Sequence, residues 1–352
     1  MSRTSSVPVA RRLGVAIPIL VASAVAAALF LSSPVSADGP CEPPKGAVPA
    51  APAGPAPAPA AANATPAKTF ASKEEAAKAL VEAAEKNDDA ALNALAGSAG
   101  ADVVQDGKDP QVAKDRAAFA AAAKKKMRFE EKDDEVTIVV GDEDWPFPVP
   151  LVKDGDKWSF DVEEGRTEIL ARRIGRNELR AIKICREFVE AQVEYASKDR
   201  DGDKVREYAQ RLMSTPGTQD GLYWPTKPGE DPSPLSDELA PFKDYFSGAQ
   251  GAPFGGYVWR LLTRQGPNAP GGDYGYVING NMIGGFALIG VPAEYRNTAV
   301  MTLMVSHHGT ILQKDLGADT LRVAAGIASF DPDSTWKEVP SDDLVASTTA
   351  DK

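Results

Sequence analysis

Cysteine and histidine are nearly missing from this sequence, with two of each in 352 residues. Two cysteines cannot build a disulfide framework or a four-thiolate zinc site, and two histidines leave little for a His-based metal centre. Positive charge is in the minority: 39 Lys and Arg stand against 50 Asp and Glu, a formal net charge of −11. That balance argues against nucleic acid and against a membrane surface as partner. No glycine loop of phosphate-cradling spacing occurs either. What is present, 43% hydrophobic and 25% charged residues, is the composition of a folded globular chain.

Residues 1–37 carry Arg3, Arg11 and Arg12 and no acid, then an apolar run from Leu13 to Leu31 and the small-residue exit Val35-Ser36-Ala37. This is the order of a secretory signal cleaved after Ala37, which leaves a net charge of 36 − 50 = −14. The apolar run of 19 residues is longer than the usual signal core of about 7 to 15, so an uncleaved anchor is the alternative. Cleavage predicts an exported protein of the periplasm or cell surface with no stable membrane span. From Asp38 to Ala67, 20 of 30 residues are Pro or Ala and none is aromatic. Such a segment cannot offset its ordering entropy and is expected to be a disordered linker, reaching roughly 90 Å if fully polyproline-like. A disordered tail is expected at 341–352.

Residues 68–168 read as a first α+β domain. Ser72 and Glu75 form a capping box, Asp88 or Asp89 caps a second helix that Gly97 ends, and Asp109-Pro110 opens a third. The period then changes to two at Val136, Ile138 and Val140, at Phe147, Val149 and Leu151, and at Trp158, Phe160 and Val162 after the turn Asp154-Gly155. Pro146, Pro148 and Pro150 mark the middle strand as an edge.

Residues 174–340 read as a second domain, a long helix followed by an antiparallel meander. Asn177 is expected to cap a helix running to about Lys198, with Cys185 on its apolar stripe as a packing residue. After a Pro/Gly-rich excursion from Pro216 to Pro253 come alternations at Tyr257, Trp259 and Leu261, at Phe286 and Leu288, and at Met301, Leu303 and Val305, with a turn at His307-His308-Gly309. Gly284-Gly285 is placed inside a strand, at a bulge or close approach. The fold class is therefore α+β throughout: helices with a curved, cone-like antiparallel sheet, then a helix packed on a second antiparallel sheet.

Three resemblances attach to these residues. The run Arg172-Arg173-Ile174-Gly175-Arg176-Asn177-Glu178, with Asp220-Gly221-Leu222-Tyr223-Trp224-Pro225, Gln265-Gly266-Pro267, Gly284-Gly285-Phe286-Ala287-Leu288 and Lys314-Asp315-Leu316-Gly317, resembles an uncharacterised family of exported bacterial proteins over about 68–340. That family implies no activity. Pro150-Leu151-Val152-Lys153 leading into Asp156-Lys157-Trp158-Ser159-Phe160-Asp161 resembles the nuclear-transport-factor-like cones, which implies an apolar pocket and makes Phe129, Trp145, Phe147 and Trp158 its candidate lining. The second domain is similar to pseudopilin and type IV pilin heads at Ala191-Gln192-Val193-Glu194-Tyr195, Gly256-Tyr257-Val258-Trp259-Arg260 and Met301-Thr302-Leu303-Met304-Val305. It departs from them in having no prepilin-type start and an apolar segment far upstream of the head helix.

Asp199, Asp201 and Asp203 alternate as the first ligands of an EF-hand loop do, with the Val205 carbonyl at the seventh position, so calcium is the one cofactor these residues suggest. Lys204 stands where that loop needs Gly and Gln210 where it needs Glu, which favours a solvated turn. Tyr223 and Trp224 lie in the long excursion, where they would stack on a ligand or fold back on the sheet. Ser306 and His307 would point to opposite faces of a strand and make no nucleophile-base pair. Glu130, Glu131, Asp142, Glu143 and Asp144 read as solvated charge. The expectation is a non-enzymatic binding or assembly module of the envelope, its partner an envelope protein or polymer. A polymer hydrolase and a calcium-dependent structural module are the alternatives.

Overall fold

Ser72 begins the folded part as expected: its Oγ accepts the Glu75 N–H at 3.1 Å, and Glu75 reaches back to accept from Ala71 N at 3.0 Å. In the computed structural model, residues 65–344 are described, apart from 133, 227–228, 230–231, 236–252 and 341. The signal, Cys41, nearly all of the linker and most of the tail lie outside them. Helix α1 (Lys73–Glu85) buries Ala76, Ala77, Leu80, Val81, Ala83 and Ala84. Asp88 caps α2 (Asp89–Ala96), which Gly97 ends at φ 67, and Asp109 caps α3 (Pro110–Lys125). The alanines on α1 and α3 let these helices approach closely.

The helices cover an antiparallel sheet of β1 (Met127–Lys132), β2 (Glu135–Val140), β3 (Trp145–Pro146), β4 (Leu151–Asp154) and β5 (Lys157–Phe160). Strand order is β1-β2-β4-β5, with β3 also paired to β2. The expected strand through Phe147, Val149 and Leu151 is broken into two. Pro146, Pro148 and Pro150 have no N–H to give a ladder, so pairing stops after Pro146 and resumes at Leu151. Val162 is not in a strand either; it is the first residue of a helix.

That helix, α4 (Val162–Tyr195), is capped by Asp161, whose side chain accepts from Glu164 N at 3.0 Å, and Glu163 and Glu164 suit its first turn. Asn177 is therefore not a cap. It sits mid-helix, donating from Nδ2 to the Thr298 carbonyl at 2.8 Å. Helix α4 runs through residues 162–176, which the periodicity left unread, and serves both hydrophobic cores.

Beyond it, β6 (Tyr257–Leu262), β11 (Ala287–Pro292), β12 (Met301–Ser306), β13 (Ile311–Asp315) and β14 (Lys337–Glu338) form an antiparallel sheet in the order β14-β13-β12-β11-β6. Between β6 and β11 lie two small ribbons, β7 (Arg264–Gln265) with β8 (Tyr274–Gly275), and β9 (Val277–Ile278) with β10 (Asn281–Met282). A short helix, Thr320–Ala325, follows β13. Every residue of β11 is buried. Phe188 of α4 meets Phe286 edge-on at 5.5 Å, and Tyr208 meets it at 4.8 Å. Gln192, fully buried, is satisfied twice by the backbone of Ala209, which ties the chain after α4 back onto the helix. Gly284-Gly285 precedes β11 instead of lying within it. The close approach holds: a Cβ on Gly285, at φ 139, would stand 2.5 Å from His307 Nδ1. Among the described residues no helix is long and apolar enough to cross a membrane.

Candidate functional site

In the first core the helices and sheet leave an apolar cavity of about 30 Å³, lined by Leu80, Leu92, Leu95, Phe147, Val149 and Phe160 among others. That is room for one or two water-sized groups. Of the four aromatic residues expected to line a pocket, only Phe147 reaches it. Trp145 packs edge-on against Phe119 and Phe147 and carries the Arg172 guanidinium 5.5 Å over its ring. Phe129 lies under Lys73, and Trp158 pairs with Phe70 through its backbone and lies under Lys153. These rings anchor long cationic side chains at the edge of the core.

Tyr223 and Trp224 fold back. Both are buried in the second core, where Met213 pairs with Tyr223. Arg200 lies 5.0 Å from the rings of both Tyr195 and Trp224, closing the edge of that cluster. Cys185 is buried and unpaired among the described residues; burial pushes its thiol well above the ordinary range, which suits a packing residue.

The acidic loop does converge. Asp199, Asp201 and Asp203 each bring a carboxylate oxygen within 4.8 Å of the others, all exposed. The backbone explains the geometry: Asp199 accepts the N–H of Gly202 at 2.8 Å and of Lys204 at 2.9 Å, and Asp203 accepts that of Val205 at 2.7 Å. The bond from Gly202 is the main cause holding the Asp199 carboxyl below its usual range. Lys204 adopts φ 72, the left-handed conformation that the sixth position of an EF-hand assigns to Gly. The loop is tied to the β9–β10 ribbon, because Asn281 donates to Asp203 at 2.7 Å, and Met282 N donates to Glu207 at 2.9 Å. Glu207 was not singled out in the sequence, although two-residue alternation from Asp203 points at it.

The ribbon beside this loop turns at Asn279 and Gly280, both at positive φ. It exposes Val277 at 36%, Ile278 at 45% and Ile283 at 44%, while Met282 is fully buried and pins it to the core. Alternation over two-residue strands is too short to be read in a sequence, so this apolar edge was missed.

Ser306 is buried and its Oγ accepts the His308 backbone N–H at 3.4 Å, while the His307 Nδ1 is buried with no hydrogen-bond partner, so no Ser306–His307 Nδ1 bond is made among the described residues. Tyr276 and Phe286 pack edge-on against the His307 ring, and burial, then His308, lowers its pKa. Of the acids in the first domain, Glu131 pairs with Lys73, Asp142 with Lys125, Glu130 with Arg128, and Asp144 with Lys126 and Arg128. They are surface ion pairs, as solvated charge predicts.

No curated protein and no solved structure matches the chain, so the likenesses to transport-factor cones and pilin heads remain resemblances. Residues 67–339, which hold both cores and the loop just described, match the family described as "Protein of unknown function (DUF2950)", and the chain belongs to that family.

Proposed function

We propose that the protein is exported to the envelope and that its folded part binds a partner or assists an assembly, without chemistry of its own. The observation that carries this is the β9–β10 ribbon, where Val277, Ile278 and Ile283 stand in water within seven residues while the neighbouring Met282 is buried. Large apolar side chains left exposed this close together along the chain cost solubility, and a partner that covers them would account for their retention. The export half of the proposal rests on the basic, apolar, small-residue order of residues 1–37. A pull-down from envelope extract should be run with the mature chain and with Val277→Ser/Ile278→Ser/Ile283→Ser. Capture of one envelope component by the first and not the second is the expected result. Equal capture by both would remove the ribbon from the account.

A second reading, a calcium-held structural loop, is favoured by the convergence of Asp199, Asp201 and Asp203 and by the left-handed Lys204. Three carboxylates this close repel one another, and a cation that binds only the folded state relieves that by mass action. Without Gly at the sixth position and Glu at the twelfth, affinity is expected on the order of 10⁻⁴ to 10⁻³ M. Melting temperature in millimolar calcium should exceed that in chelator for wild type and not for Asp201→Ala. No rise in wild type leaves the loop a solvated turn.

A further inference from the structure

Four arginines of α4, Arg172, Arg173, Arg176 and Arg180, stand out in an acidic chain. At about 100° per residue they fall in one sector about 100° wide, and from first to last they span about 12 Å. One and two turns earlier the same sector holds Gly165 and Ile169, buried in the first core. The second core takes a face roughly a third of a turn away. The arginine sector therefore lies at the junction of the two cores, with a wall from each side.

Arg172 is fixed toward the first core. Its Nε donates to Glu168 at 2.7 Å, Nη1 donates to the Pro146 carbonyl at 2.8 Å, and the guanidinium lies over Trp145. Arg173 reaches the other side, where Asn297 accepts from its Nη2. Its Nε is buried with no hydrogen-bond partner. Glu178 accepts the backbone N–H of Val300 and Met301, and Glu294 accepts from Asn297; among the described residues neither forms an ion pair with Arg173 or Arg176, and both keep their negative charge. Arg176 is exposed and makes no hydrogen bond or ion pair among the described residues. Desolvation by its surroundings, then the like charges of Arg172, Arg173 and Arg180, lowers its pKa.

We propose that this arginine face is a binding site for a compact phosphate-bearing ligand, gripped by Arg173 and Arg176 with Arg172 held at its edge. Residues three apart on a helix are neighbours, so Arg173 and Arg176 can offer two positive charges to one ligand with more than one negative charge, and the guanidinium fork matches phosphate oxygens in pairs. The acidity of the rest of the chain repels a polyanion that would wrap it and admits an anionic group that meets the arginine face alone. Free phosphate and a phospholipid headgroup share this chemistry. The site uses no residue of β9–β10 and does not depend on the role proposed for that ribbon.

The test uses the whole chain, as wild type, Arg176→Ala, Arg173→Ala/Arg176→Ala, and Arg322→Ala as a control on the short helix at Thr320–Ala325. Binding of inorganic phosphate and pyrophosphate is titrated calorimetrically at matched ionic strength. Sedimentation with phosphatidylglycerol vesicles is compared with that of phosphatidylcholine vesicles. Arg176→Ala should weaken binding about tenfold, the double variant further, and Arg322→Ala not at all. Loss confined to the soluble anions identifies a free phosphate compound, and loss confined to the phosphatidylglycerol vesicles identifies a headgroup. Failure of wild type to bind any of these probes, or equal binding by wild type and the double variant, overturns the proposal.

Discussion

The two halves of α4 meet their surroundings in different ways. The N-terminal half enters the first core through Val162, Gly165 and Ile169, whereas the C-terminal half enters the second through Ile182, Ile184, Cys185, Phe188, Ala191 and Tyr195. The first contact is sparse and depends on a missing side chain; the second is dense and aromatic. A helix that changes its buried face midway must leave a stretch between the faces that neither core claims, and that stretch is where Arg172, Arg173 and Arg176 stand. One continuous helix thus joins two packing problems.

Replacing Phe188 by Ala should produce the largest effect. The ring is 2% exposed and meets Phe286 edge-on at 5.5 Å, so its removal loses both transfer energy and an aromatic pair. A loss of about 3–5 kcal/mol in denaturant unfolding is expected. A loss below about 1 kcal/mol would mean the dense half of the helix is not what holds the second core.

Gly165→Ala should act less strongly in the sparse half. A Cβ there would stand 2.7 Å from Val149 Cγ2, and the stiff β-branched side chain has little room to turn away. Overpacking of about 1–3 kcal/mol opposes a helix-propensity gain of about 1 kcal/mol, leaving a net destabilisation of about 1 kcal/mol. A stabilised variant would show that α4 and the segment between β3 and β4 part easily, and the two halves of the helix would then not differ in this way.

This division explains what the sequence made legible. The stripe of Ile182, Cys185 and Val189 is long and regular, so the second half of α4 is readable, but the face shift hides the first half and makes Asn177 look like a cap. The caps at Ser72, Asp88 and Asp109 are local hydrogen bonds and were readable from their own neighbourhoods. So was the clustering of Asp199, Asp201 and Asp203, because the turn that gathers them is made by their own backbone. The cavity wall was not, since Leu80, Leu92 and Phe147 come from three segments joined only by tertiary packing. The Trp145 and Trp158 rings look like pocket aromatics in sequence; the cations beside them reveal their part only in three dimensions.

The smallest effect, and the opposite sign, is expected at the other glycine of α4. Gly175 is also inside the helix, but a Cβ placed on it meets no atom within 4 Å. Gly→Ala at an unhindered helical position lowers the entropy of the unfolded chain and improves helix propensity, together worth about 0.5–1 kcal/mol. In a folded part of this size that is a rise in Tm of about 1–3 °C, readable by calorimetry. Gly175 falls outside the sector of Arg172, Arg173 and Arg176, so phosphate binding should stay at the wild-type level while Tm rises. A fall in Tm would place a packed neighbour against the junction and would turn the unclaimed stretch of α4 into a third contact of the helix.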